Sequence, residues 1–174
     1  MFVTFRLSGS LPENRVFPPA RCSSGQAFVA MDRLLDRATE GPVFLRQQEI
    51  AQIVIDAIRD GEARFHRYQL NAFAVMPNHV HLLVTPNVTA DQWLGPLKGF
   101  TAHQANRVLG KHAPFWQDES YDHLVRDREE FQQIQRYIEN NPVKAGLVAS
   151  PERFPWSSAA KVTPGGSPAA RSKA

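Results

Sequence analysis

The chain has one cysteine, Cys22, so no disulfide can close within it, and a lone thiol fits a reducing compartment. No apolar run approaches the ~20 residues of a membrane span. Met1-Phe2-Val3-Thr4-Phe5-Arg6-Leu7 also lacks a cationic lead before a long apolar stretch. The expectation is a cytoplasmic protein without export signal or anchor. Excess charge is scarce too: 20 Lys and Arg against 17 Asp and Glu leave +3, and Lys161, Arg171 and Lys173, in a terminal stretch without acids, account for all of it. The body is neutral, so a pI of about 9.3 is no argument for a polyanionic partner, and local patches carry more weight. What is present is 174 residues, 43% of them hydrophobic, enough for one core and short for two domains. One domain over 1–160 is expected. A disordered basic tail over 161–174, dominated by Pro, Gly, Ser, Ala and Lys without apolar periodicity, should follow it.

Phe2 to Leu7 alternates like a strand, and a loop-prone stretch with Pro12, Pro18, Pro19 and Gly25 follows. Ile50, Ile53, Val54, Ala57 and Ile58 recur at helical spacing between about Gln47 and Gly61, where the glycine reads as a stop. Two strand-like runs, Gln69–Val75 and His79–Thr85, flank Met76-Pro77-Asn78 and predict an antiparallel hairpin. A second helix is expected over Ala90–Leu109, with Trp93, Leu94, Leu97, Phe100, Thr101, Ala105 and Val108 inward and Gly110 ending it. A strand over Ser120–Arg126 and a third helix over Glu129–Asn141 complete the series, the helix stopping at Asn141-Pro142 because proline pushes its predecessor out of the α region. The order predicts an α+β fold: a ferredoxin-like sandwich with a central antiparallel sheet, helices packed on it, and an extra C-terminal helix that bears Tyr137.

His79 and His81 leave the same face of their strand while Val80, Leu82 and Val84 leave the other. Two imidazoles on a rigid strand can hold a divalent cation but do not complete its coordination, and His-x-His alone also describes two ordinary sheet histidines. On the last helix Tyr137 and Asn141 lie one turn apart on the same side. The Asn141 side-chain oxygen is a candidate third ligand, with Asn140 as the alternative. Tyr137 is a candidate nucleophile: a phenol of ordinary pKa about 10 is weakly reactive, but a phosphotyrosine keeps the phosphoester bond available for transfer to a new hydroxyl. Taken by themselves, the same residues also describe a core-edge tyrosine and a helix-end asparagine.

Ala74-Val75-Met76-Pro77-Asn78-His79-Val80-His81-Leu82-Leu83 resembles the metal-binding strand of the HUH-type single-tyrosine transposases, and among them the REP-associated tyrosine transposases. Tyr137-Ile138-Glu139-Asn140-Asn141-Pro142-Val143-Lys144-Ala145-Gly146-Leu147-Val148 resembles that family's catalytic helix and its exit. Similar stretches occur at Leu97–Thr101, Phe115–Gln117, Tyr121–Asp127 and Phe154–Ser158, so the likeness runs over about 1–160. The resemblance implies Tyr137 as nucleophile, His79, His81 and Asn141 as ligands of Mg²⁺ or Mn²⁺, and a 5′-phosphotyrosine formed on single-stranded DNA bearing hairpins. It leaves open a monomer or a homodimer, with the tyrosine acting in cis or in trans. Tyr121, in a predicted strand near His123, is the rival nucleophile.

Between Asp91 and Asp118 there is no acid, while Lys98, Arg107 and Lys111 are present. This patch is a candidate track for DNA phosphates, with Trp116 a candidate for stacking on unpaired bases, and a solvated helix face with a buried Trp is the other reading. Two further functions fit the same residues: a metal-dependent hydrolase without a covalent intermediate, and a noncatalytic DNA-binding regulator.

Overall fold

The computed structural model describes residues 1–11, 32–35 and 41–161. Cys22, the proline-rich stretch beyond residue 11 and the tail beyond Lys161 lie outside them. Strands β1 (Phe2–Arg6), β2 (Tyr68–Val75), β3 (His79–Pro86) and β4 (Tyr121–His123) form one sheet in the order β2-β3-β1-β4. Every pairing is antiparallel, which gives the expected α+β sheet with packed helices. Helices α1 (Gln48–Ala63), α2 (Ala90–Leu109) and α3 (Arg128–Lys144) pack on it, with short helical turns at 32–35, Phe44–Arg46 and Pro151–Arg153.

Strand alternation divides the core in two. Val3, Phe5, Val80, Leu82 and Val84 point to the α1 and α2 side, where they pack with Ile50, Val54, Ile58, Trp93 and Leu97. Phe2, Ala72, Ala74 and Leu83 point to the opposite side, against Ile138 of α3 and Phe154. The histidine face is therefore covered. A bulge between Leu70 and Ala72 lets both residues pair while β2 changes phase, and Asn71 at the bulge donates from Nδ2 to Thr85 Oγ1 at 3.1 Å.

Several boundaries differ from the sequence reading. Gly61 does not stop α1; a Cβ there would lie 2.1 Å from the Tyr68 hydroxyl, which donates to the Ile58 carbonyl at 2.7 Å, so the glycine admits a ring rather than ending a helix. In α2 the buried stripe is Trp93, Leu97, Thr101 and Ala105, at four-residue spacing, whereas Phe100 and Val108 are exposed. Strand β4 is only three residues long, because β1 is its sole neighbour in the order and the pairing spans Phe2 to Thr4. Asn141-Pro142 does not end α3 either. Proline lacks only its own N–H, and the chain recovers with Ala145 N donating to Asn141 O at 2.9 Å before Gly146, at φ 72°, turns it. At its other end, Asp127 accepts from Glu130 N at 2.8 Å and caps the helix.

Candidate metal and tyrosine site

Strand β3 delivers His79 and His81 from one face of the sheet, and neither ring has exposed surface. Their Nε2 atoms are 3.0 Å apart, and each ring is held from behind. His79 Nδ1 lies 2.7 Å from Asn78 Oδ1, and His81 Nδ1 lies 2.7 Å from Thr4 Oγ1 on the paired strand. Asn78 has its own anchor, because Nδ2 donates to the Leu35 carbonyl at 2.9 Å. Its oxygen faces the imidazole and can only accept, so His79 carries its proton on Nδ1 and presents a lone pair from Nε2. Complete burial and the neighbouring His81 hold the His79 pKa down to about 3, against the attraction of Asp32. The ring is neutral at pH 7.

Asp32, in the helical turn of residues 32–35, closes the group. It is 2% exposed, with Oδ1 at 3.1 Å from His81 Nε2 and 3.4 Å from His79 Nε2. Its Oδ2 accepts from Asn141 Nδ2 at 3.0 Å and from the Tyr137 hydroxyl. Burial pushes the Asp32 pKa up, but the charge and hydrogen bond of His81, helped by His79 and Asn141, outweigh it and leave the carboxyl below its ordinary range. Asp32, His79 and His81 thus gather nitrogen and oxygen donors that could hold a metal ion.

Helix α3 brings Tyr137 and Asn141 to the same place. Asn141 is buried, and its Oδ1 has no hydrogen-bond partner among the described residues. Leaving buried acceptors unmatched costs about 1–3 kcal/mol each. That oxygen and the Asp32 carboxylate beside two imidazoles suit a cation, and a donor set with two imidazoles suits Mn²⁺ at least as well as Mg²⁺. The half-buried Tyr137 ring sits edge-on to His81 at 5.9 Å between centroids and to Phe2 at 6.5 Å, with Lys144 Nζ 4.5 Å over its face. Outward, Tyr137 shares a cleft with Gln133, Arg136, Asn140 and Lys144.

The structure therefore brings Tyr137, His79, His81 and Asn141 together within one chain. Asn140, the alternative ligand, is exposed and donates to the Arg136 carbonyl at 2.9 Å. Tyr121, the rival nucleophile, packs edge-on against Phe2 at 6.0 Å, and its half-burial raises its pKa. Two of the four residues offered for DNA contact need correction. Trp116 is 5% exposed, donates from Nε1 to Thr101 Oγ1 at 2.9 Å and packs on Phe5, so its ring is not presented to bases. Lys98 is turned to the protein, where Nζ donates to Gln117 O, Asp118 O and Ser120 Oγ at 2.8–3.0 Å. Trp116 is core and Lys98, half-buried, is tied to the loop from Gln117 to Ser120 by partners that charge spacing does not reveal. Arg107 and Lys111 do remain exposed and line one surface cleft with His103 and His112. Asp32 went unseen in the sequence: it precedes Tyr137 by 105 positions and Asn141 by 109, with no period linking it to either.

Residues 44–141 match the family model described as Transposase IS200 like. The chain is 28% identical over 103 residues to a putative REP-associated tyrosine transposase of Haemophilus influenzae, covering 52% of this chain and 58% of that protein. It is 29% identical over 94 residues to the REP-associated tyrosine transposase of Escherichia coli K12, covering 52% of this chain and 53% of the relative. It thus spans a little over half the length of these curated relatives. A solved structure of a REP-associated tyrosine transposase bound to a REP hairpin shares the fold, with a TM-score of 0.53 at 23% identity over 90% of this chain and 73% of that one. No helix among the described residues is long and apolar enough to cross a membrane.

Proposed function

Because the chain belongs to the IS200-like transposase family, we propose that it cuts and rejoins single-stranded, hairpin-bearing DNA through a covalent bond between Tyr137 and a 5′-phosphate. The observation that carries this reading is the meeting of the Tyr137 hydroxyl with Asp32, which also touches both histidines, inside one buried group. Tyr137 supplies the oxygen that attacks phosphorus. As the new P–O bond forms, the bond to the 3′-oxygen of the preceding nucleotide breaks, and that oxygen leaves as a 3′-hydroxyl after taking a proton. The exchange of one phosphoester for another conserves the bond energy needed for rejoining.

His79, His81 and Asn141 would hold a divalent ion, Mg²⁺ or Mn²⁺, which when bound supplies positive charge beside the scissile phosphate. Asn78 and Thr4 keep the two imidazoles aimed at that point. Arg136 and Lys144 flank the cleft beside Tyr137 and offset the charge of an entering strand. With nucleophile and ligands in one chain, a monomer suffices for the reaction.

The test uses end-labelled hairpin DNA, Mn²⁺ or Mg²⁺, and denaturation before analysis. Label should stay on the wild-type protein, and Tyr137→Phe should lose that adduct at least 1,000-fold while still melting cooperatively. Cleavage without adduct would replace this reading by metal-dependent hydrolysis. Hairpin binding without cleavage in either metal would make the chain a regulator.

A further inference from the structure

Asp32 lies outside the residues that match the family model, 44–141, yet it touches His79, His81, Tyr137 and Asn141 alike. Resting on the function proposed above, we infer that Asp32 is a positioning residue whose single carboxylate ties the Tyr137 hydroxyl to the metal. Oδ1 faces the two Nε2 atoms at 3.1 and 3.4 Å, whereas Oδ2 takes the Tyr137 hydroxyl and, at 3.0 Å, Asn141 Nδ2. One oxygen is thus a metal ligand and the other an anchor. The Tyr137 hydroxyl meets the same carboxylate that faces both imidazoles.

The division of labour follows from what each oxygen can see. His79 has its proton on the far nitrogen, so its Nε2 lone pair meets Oδ1 without a hydrogen between them. A cation between that lone pair and the buried carboxylate oxygen stabilises both. Oδ2, in contrast, is surrounded by donors. The hydroxyl of Tyr137 is fixed by this contact in a way that the loose, edge-on packing of its ring on Phe2 and His81 does not achieve. A hydroxyl one turn from Asn141 is thereby held in register with the ion before DNA enters.

Two measurements on the full chain separate the two jobs. In the first, metal-stripped protein is titrated with Mn²⁺ by calorimetry in the absence of DNA. Asp32→Asn, which keeps the shape but removes the charge of the ligand, should weaken Mn²⁺ at least tenfold. Wild-type affinity in Asp32→Asn would overturn the ligand role and leave only an ion pair with a protonated imidazole. In the second, adduct formation is followed in a single turnover at saturating Mn²⁺ and saturating hairpin. Asp32→Asn should remain at least tenfold slower than wild type with unchanged hairpin affinity, and a wild-type rate would overturn the anchor. Melting in chelator verifies folding, with Asp32→Ser as the second variant if the amide is not tolerated. Absence of an adduct in the wild type would refute the proposed function, and the Mn²⁺ titration would still judge Asp32 as a ligand.

Discussion

Asn78 connects two segments far apart in the chain, with Nδ2 on the Leu35 carbonyl and Oδ1 on His79 Nδ1. It reads in the sequence as a turn residue, and its second job appears only once the 32–35 segment is in place. Replacing it by Ala would free the His79 ring to take either tautomer and would leave the Leu35 carbonyl without this donor. Asn78→Ala should weaken Mn²⁺ binding by about 10–100-fold in calorimetry, the usual loss when an outer-shell partner is removed. An unchanged affinity would mean that packing alone orients the ring. His79 and His81 were visible as a pair because a strand has a period of two. Asp32 was not, because a carboxylate brought in by tertiary packing has no characteristic distance along the chain from the groups it meets.

At the scale of elements, periodicity exposed the hairpin, α1 and α2, since each buries one stripe. The end of α3 was misplaced because Asn141-Pro142 carries a strong local stop signal, while the packed helix loses only one N–H there and continues to Lys144. The turn belongs instead to Gly146, at φ 72°, with nothing near the position of a Cβ. Gly146→Ala therefore has no clash, only the left-handed backbone against it, and should lower stability by about 1 kcal/mol in urea unfolding. A loss near zero would show that the chain can leave the helix another way. Because α3 carries both Tyr137 and Asn141, the register of this helix on Phe2, Ala72 and Leu83 decides whether phenol and amide reach the histidines.

On the whole molecule, charge balance says little about DNA, and folding sorts the basic residues between interior and surface. Lys98 pins the loop from Gln117 to Ser120, while Arg107, near the end of α2, and Lys111, just beyond it with Nζ 4.2 Å over the Phe44 ring, remain exposed. Neutralising Arg107 and Lys111 together should lower the slope of log affinity against log salt for single-stranded DNA by roughly 1.4, about 0.7 for each phosphate that the protein no longer neutralises. Fluorescence anisotropy at four salt concentrations reads the slope. A slope equal to that of the wild type would remove these two side chains from the DNA path.

From its sequence alone the chain specifies an α+β fold, a histidine pair on a strand and a tyrosine with an asparagine one helical turn away, because periods of 2 and 3.6 residues are local properties of the backbone. Tertiary structure alone decided that the two motifs face each other, that Asn141 rather than Asn140 turns inward, that Trp116 is core, and that Asp32 touches both histidines, Tyr137 and Asn141. Those outcomes depend on which surfaces pack together, and distance in space between packed elements is not encoded by any spacing along the chain.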